Sequence, residues 1–184
     1  MQQKAKLRKK YLNLRKEKYY SIDKNFFFPL LKLFRKEFKK KPIKIALCYP
    51  SNFELNVLKV LELKYFSSKV ILLPAIEKNN LMKFYPWKKN EVLAVNKFGM
   101  IEPVQTKAKV PDVMLIPLLA FDKDKFRLGY GKGYYDRYLN KYIKIYKDIL
   151  TVGVAFSFQK HHKLPLSQHD IKIDFILTEK GIFS

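Results

Sequence analysis

The chain has 184 residues, with 38 Lys and Arg against 16 Asp and Glu, a formal net charge of +22. That length fits one domain, or a domain with a small lobe, and can bury a core without disulfide or metal staples. A hydrophobic fraction of 48% excludes a disordered chain, and no apolar run reaches the roughly 18 residues of a membrane span. The single cysteine, Cys48, excludes an internal disulfide or a thiolate metal cluster. The basic opening from Met1 to Lys10 is not followed by an apolar segment, so no secretory leader and a reducing cytoplasm are expected.

The charge is uneven. Residues 1–44 hold 16 basic and three acidic residues, so +13 of the +22 lies there. Only five of the basic residues are Arg (Arg8, Arg15, Arg35, Arg127, Arg137). Arg is the usual choice for bidentate phosphate and base recognition, so a surplus made mostly of Lys reads as a surface bias. Two readings stay open on charge alone: a solvated lysine-rich face, or attraction of a polyanion such as nucleic acid, a nucleotide or an anionic cofactor.

In chain order, residues 2–19 are predicted helical, with Leu7, Tyr11 and Leu14 recurring on one face. Ser21-Ile-Asp-Lys offers a helix start before the apolar segment Phe26 to Phe34, with Pro29 near a start or kink, and Lys39 to Pro42 breaks the pattern. Ile43 to Cys48 reads as a buried strand, Pro50-Ser-Asn as a loop, Glu54 to Leu63 as a helix, and Lys69 to Pro74 as a second strand parallel to the first. Met82 to Tyr85 and Glu91 to Val95 are short candidate strands, and Val113 to Pro117 is another buried one. A glycine-rich loop spans 127–133, and Tyr134 to Tyr146 is predicted helical. Thr151 to Phe156 and Ile173 to Thr178 are the last predicted strands. Alternating strands and helices predict an α/β three-layer sandwich with a mostly parallel, Rossmann-like central sheet. Without an internal repeat or linker, residues 1–184 are expected to form a single domain, with 1–40 a helical segment packed on it.

Three of only six glycines fall in Gly129-Tyr-Gly-Lys-Gly133, between a strand and a helix. Closely spaced glycines let backbone N–H groups approach a phosphate, and a helix N-terminus adds partial positive charge. Arg127 and Lys132 put full charges beside that nest. The alternative is a tight strand-to-helix turn, with Asp136 a capping residue rather than an oxygen ligand for a divalent cation. The spacing fits neither a Walker A loop nor a dinucleotide fingerprint.

The run from Ile116 to Leu139 resembles the signature of the 5-formyltetrahydrofolate cyclo-ligase family. Lys4-Ala-Lys-Leu-Arg8 resembles that family's N-terminal helix motif, Tyr49-Pro-Ser-Asn-Phe-Glu54 its substrate loop, and Gly99-Met-Ile-Glu-Pro103 its Gly-Ile-x-Glu-Pro element. Gln159, Leu164-Pro-Leu-Ser-Gln-His-Asp170 and Ile173-Asp174 are similar to its C-terminal block. The resemblance covers nearly the whole chain and is most specific over 127–139. Lys125 departs from it, standing where the family usually has Gly, and an altered loop shape is expected there.

The resemblance implies ATP- and Mg²⁺-dependent conversion of 5-formyltetrahydrofolate to 5,10-methenyltetrahydrofolate. It implies ATP binding by Lys4, Ala5, Lys6, Leu7 and Arg8, and by Arg127, Leu128, Gly129, Tyr130, Gly131, Lys132, Gly133, Tyr134 and Tyr135. Lys132, Arg127 and Tyr134 are implied as catalytic, Tyr49 and Glu54 as folate contacts, and Asp136 and Asp170 as Mg²⁺ ligands. Glu54 would accept hydrogen bonds from the pterin N–H groups. The partner is then a small folate, polyglutamylated in one variant of the reading, with no nucleic acid or membrane and a monomeric chain. Tyr85 and Trp87 flank the pterin or pack in the core. His161, His162 and His169 make no convincing metal set, and Cys48 reads as inert packing. Two rivals predict different behaviour: a nucleic-acid module using the basic first helix, with steep salt dependence and no ATP turnover, and another ATP-using ligase on the same scaffold.

Overall fold

The computed structural model describes residues 2–38, 43–142, 145–146 and 149–183. Its elements are built around a seven-stranded sheet with the order β11-β10-β9-β6-β1-β2-β3. The strands are β1 (Lys44–Ala46), β2 (Val70–Ile76), β3 (Met82–Pro86), β6 (Val113–Pro117), β9 (Leu150–Val154), β10 (Phe175–Thr178) and β11 (Gly181–Phe183). β10, β9, β6, β1 and β2 run parallel, and the two edges, β11 and β3, run antiparallel. The expected mostly parallel α/β sheet is therefore present.

Alternation along the strands makes two apolar layers. Ile45, Leu47, Val113, Leu115, Val152 and Val154 face one side, where α2 (Phe28–Phe38) buries Leu30 and Phe34. Ala46, Met114, Ile116 and Ile176 face the other, covered by Tyr138 and Leu139 of α3 (Tyr134–Tyr142). At roughly 25 cal/mol per Å² of apolar surface, each such side chain contributes about 1.5–3 kcal/mol. Gly153 in β9 is required by this packing: a Cβ there would come 2.6 Å from Ile173 Cδ1 and 2.8 Å from Leu118 Cδ2. A third, smaller cluster joins α1 (Gln2–Lys18) through Tyr11 to Leu119, Leu128 and Leu164, beyond the carboxyl end of β6.

Several expectations are corrected. Glu54 to Leu63 is not an α-helix but short 3₁₀ turns at Val57–Glu62 and Lys64–Phe66. Glu54 bends back onto Ser51, and the Asn56 side chain accepts the Leu58 N–H, so the first turn is committed to local bonds. Six residues containing two β-branched valines are also too few to nucleate a stable α-helix. The strand expected near Glu91 to Val95 lies outside the main sheet: β4 (Leu93–Val95) joins β5 (Ile101–Pro103), a strand not expected from alternation, in a separate hairpin. The glycine loop does not follow β6 directly, because a hairpin of β7 (Ala120–Phe121) and β8 (Arg127–Leu128) intervenes. β11 is also additional; its three residues are too short to show alternation. The break at Lys39 to Pro42 lies outside the described residues, as do 143–144 in the predicted last helix, whose described part ends at Tyr142. Pro29 sits in the first turn of α2, after a 3₁₀ turn capped by the Asp23 side chain accepting from the Asn25 N–H. Lys125 has a φ of +66°, the left-handed region that glycine favours.

Candidate functional site

In an open parallel sheet, ligands bind outside the carboxyl ends of the strands, where the strand order reverses. Here the order reverses between β1, which leads to β2 on one side, and β6, which pairs with β9 on the other. The loops after these strands converge there. After β1 come Tyr49 and the turn Ser51 to Glu54, in which the Glu54 N–H bonds the Ser51 carbonyl at 2.8 Å. Asn52 and Phe53 take φ of +46° and +58°, strained values for non-glycine residues and a feature common at binding loops. Glu54 is 7% exposed. Its Oε2 accepts the Ser51 N–H at 2.9 Å, and its Oε1 accepts the Tyr130 hydroxyl at 2.8 Å. Burial raises its pKa above the ordinary glutamate range, against the opposing hydrogen bonds from Ser51 and Tyr130 and the charge of Arg15.

Tyr130 belongs to the glycine loop, so the predicted substrate carboxylate and the predicted phosphate nest are joined by one hydrogen bond. Gly131 and Gly133 have φ of +97° and +67°, which fold the loop into the start of α3. The Arg8 Nε donates to the Gly129 carbonyl at 2.9 Å, and a Cβ on Gly131 would come 3.0 Å from Arg8 Cζ. Lys132 is exposed on the loop, its Nζ 5.9 Å from the Phe98 ring centroid at the tip of the β4–β5 hairpin.

The α1 helix lies across this site. Lys4, Arg8, Tyr11 and Arg15 follow one stripe at intervals of three or four residues. Lys4 pairs with Asp170, which also accepts the Ser167 N–H. The Tyr11 hydroxyl meets His161 Nδ1 at 3.0 Å. Arg15 lies at the reversal point: it donates to the Asn52 carbonyl at 2.7 Å, to the Leu118 carbonyl at 3.4 Å and to the Tyr130 hydroxyl. Sequence reasoning missed Arg15 as a site residue. The available signals were its place on the stripe of Lys4 and Arg8 and its being one of only five arginines.

The predicted ATP residues divide by environment. Lys4 and Arg8 face the site, whereas Ala5 and Lys6 are exposed on neighbouring faces of α1 and Leu7 packs on the third core cluster. Leu128 is buried in that cluster, so only its backbone could reach a ligand. Arg127 faces inward, its side chain 4% exposed, donating to Asp136 Oδ1 at 2.7 Å and to the Ile171 carbonyl at 3.0 Å. Burial lowers its pKa and the Asp136 charge opposes that shift. Tyr134 stacks under Arg137, and the Tyr135 hydroxyl is pushed well up by burial and then by Cys48 and Glu54. Tyr85 and Trp87 are buried, their polar atoms donating to Glu77 and to the Glu91 carbonyl.

Asp136 and Asp170 come together around the segment 170–171, since Asp136 Oδ1 also accepts the Ile171 N–H at 3.4 Å. Among the described contacts, Oδ2 of Asp136 and Oδ1 of Asp170 take no partner. Among the described residues there is no cluster of three His, Cys, Asp or Glu that could hold a metal alone. Two carboxylate oxygens of this kind are hard donors of the type Mg²⁺ takes. Among the described residues no helix is long and apolar enough to cross a membrane.

A sequence profile of the 5-formyltetrahydrofolate cyclo-ligase family matches residues 1–179. The chain is similar to the 5,10-methenyltetrahydrofolate synthetase of Aquifex aeolicus, known by NMR, at 34% identity over 97% of this chain and 91% of that one, with a TM-score of 0.73. The Mycoplasma pneumoniae 5,10-methenyltetrahydrofolate synthetase structure is 28% identical over 95% of this chain and 97% of its own, with a TM-score of 0.69. The 5-formyltetrahydrofolate cyclo-ligase of Escherichia coli K12 is 30% identical over 138 residues, 71% of this chain and 74% of that one. With the profile spanning almost all of its length, the chain belongs to the 5-formyltetrahydrofolate cyclo-ligase family of ligases.

Proposed function

We propose that the protein converts 5-formyltetrahydrofolate and ATP to 5,10-methenyltetrahydrofolate, ADP and phosphate. The observation that carries this reading is the 2.8 Å hydrogen bond from Tyr130 of the glycine loop to the buried Glu54 carboxylate. It sets an anion-binding loop directly beside an acceptor for pterin N–H groups. Relatives named as the ligase and the synthetase support it.

The formyl group on N5 is an unreactive amide. Its oxygen takes the γ-phosphoryl group as the bond to ADP breaks, N10 attacks the activated carbon, and phosphate leaves as the ring closes. Such a reaction asks mainly for positioning and charge stabilisation. Lys4, Arg8 and Lys132 supply exposed or half-buried cations for the phosphates, and the Gly129 to Tyr134 backbone supplies N–H donors. Arg127, paired with Asp136, holds that carboxylate in place. Asp136 and Asp170 would hold Mg²⁺, which would neutralise part of the nucleotide's phosphate charge. Tyr49, exposed before the Glu54 turn, contacts the folate in this reading. In this reading residues 1–40, of which 2–38 are described, belong to the one domain, and α1 completes its site.

The test is direct. Purified protein with Mg-ATP and 5-formyltetrahydrofolate should develop a methenyl chromophore near ~360 nm, because the folate carries the chromophore. Absence of the chromophore, with folate shown intact, overturns the reading.

A further inference from the structure

We propose that Arg15 is a positioning residue that keeps Glu54 ionised and aimed, by fixing the Tyr130 hydroxyl as a donor to it. The folate consequence rests on the function proposed above; the effect on Glu54 itself does not.

The argument is one of hydrogen-bond direction. A guanidinium can only donate. Arg15 Nη2 reaches the Tyr130 oxygen, so that oxygen must accept from Arg15 and has its single proton left for Glu54 Oε1, 2.8 Å away. Oε2 is meanwhile occupied by the Ser51 N–H at 2.9 Å. Both carboxylate oxygens are thus acceptors, which is the arrangement of an ionised glutamate able to take further N–H donors from a ligand. The Ser51 hydroxyl, 3.4 Å from Oε2, can add a further donor to that oxygen.

The guanidinium is itself locked. Its Nη2 also donates to the Asn52 carbonyl at 2.7 Å, and its plane lies 5.6 Å from the Tyr130 ring centroid. The Leu118 carbonyl receives both Arg15 Nη1 and, at 2.9 Å, the Gln159 Nε2. A lysine, a single point charge, could not serve three acceptors in these directions. The arrangement is also costly. Arg15 is 1% exposed, and its buried Nε finds no partner among the described residues. An apolar residue would avoid the desolvation of a buried cation and the loss from an unsatisfied donor, so fold stability alone does not explain this choice. The charge serves its neighbour.

The groups facing Glu54 from other elements do not substitute. Tyr130 from the loop and Tyr135 from α3 are held neutral, their pKa values raised first by burial. Cys48, two residues beyond β1, is likewise pushed up by burial. Arg127 acts on Tyr135 and is paired with Asp136. Arg15 is the cation whose charge reaches Glu54 among the described groups.

The experiment follows the Glu54 carboxyl in protein carrying ¹³Cδ-labelled glutamate, assigned by the signal lost in Glu54→Gln. Its titration midpoint is compared in the parent, Arg15→Met and Tyr130→Phe. Arg15→Met should raise the midpoint by about one pH unit or more, as expected on losing a nearby opposite charge, and Tyr130→Phe should move it the same way. An unchanged midpoint in folded Arg15→Met overturns the proposal. If that variant does not fold, Tyr130→Phe decides: it removes only the relay, and an unchanged midpoint there overturns the proposal equally. The functional arm is 5-formyltetrahydrofolate binding against pH, whose acid limb should shift upward with the Glu54 midpoint in Arg15→Met while ATP affinity changes less than about twofold. A parent that binds no folate defeats the proposed function, yet leaves the carboxyl titration free to decide the role of Arg15.

Discussion

Arg8 and Gly131 hold one another in place: the Arg8 Nε donates to the Gly129 carbonyl at 2.9 Å, while its Cζ would lie 3.0 Å from any Cβ on Gly131. The helix cation and the glycine loop are fitted to contact distance, so a side chain at Gly131 would require Arg8 to shift. Gly131→Ala should displace Arg8 and strain a backbone at φ +97°. The expected result is an ATP KM raised on the order of tenfold, the cost of about 1.4 kcal/mol in positioning. Gly129→Ala, where a Cβ meets nothing within 4 Å, should stay within about twofold. Steady-state kinetics at varied ATP compares the two, and equal KM values would contradict the fit.

Asp136→Asn should have two separable effects. It leaves the buried Arg127 guanidinium without its counter-charge, a loss of about 2 kcal/mol once the partial exposure of Asp136, 27%, is allowed for. A melting temperature lower by roughly 4–8 °C is expected. It should also raise the Mg²⁺ needed for half-maximal turnover while leaving folate affinity within about twofold. Adding Arg127→Met to Asp136→Asn should recover part of the stability but none of the Mg²⁺ response. Recovery of both would reduce Asp136 to an ion-pair role.

Much of the fold is legible in the sequence because strands buried on both faces are continuous apolar runs, as in Val113 to Pro117, and because α2 carries clear helical spacing, whereas α1 shows it only through Leu7, Tyr11 and Leu14. The 3₁₀ turns after Glu54 are not legible, since apolar spacing does not report that Glu54 and Asn56 turn their side chains onto nearby backbone N–H groups. The glycine loop and Glu54 stand out as residue types in a pattern; their joining through Tyr130 does not, being a contact across 76 positions. Arg15 is hidden for a different reason. In a helix crowded with lysines, one more cation reads as solvated; its place on the Lys4–Arg8 stripe is a weak signal, and its burial is what sets it apart.

Lys125 offers a stabilisation that the site should ignore. A lysine at φ +66° is strained in a conformation glycine adopts freely, so Lys125→Gly should add about 1 kcal/mol, or roughly 2–4 °C in melting temperature. Turnover should stay within about twofold, because Lys125 precedes the glycine loop. Calorimetry beside the chromophore assay checks both halves.

The Lys4 pair should make docking of α1 depend on acid. Burial alone would raise the Asp170 pKa, but the Lys4 ammonium and the Ser167 donors outweigh it and hold the carboxyl below the ordinary aspartate range. A group depressed on folding contributes stability above its unfolded value, about 4, and loses that contribution as the pH falls through the folded value. The melting temperature of the parent should therefore exceed that of Lys4→Met by a steady margin above about pH 5, and the margin should close toward about pH 3. A margin independent of pH would show that Lys4 acts through packing alone.

The pairing of Lys4 with Asp170 spans 166 positions, and that of Arg8 with Gly129 spans 121. During synthesis α1 leaves the ribosome long before any of its partners exist. Contacts this distant in sequence close late and at an entropic cost that local pairs do not bear. For most of its translation the chain carries a lysine-rich helix with nothing to dock on and a half-built sheet. Docking of α1 is complete only when the late-made loops arrive to receive it, so a product cut short before Asp170 would hold this helix without its partner for Lys4.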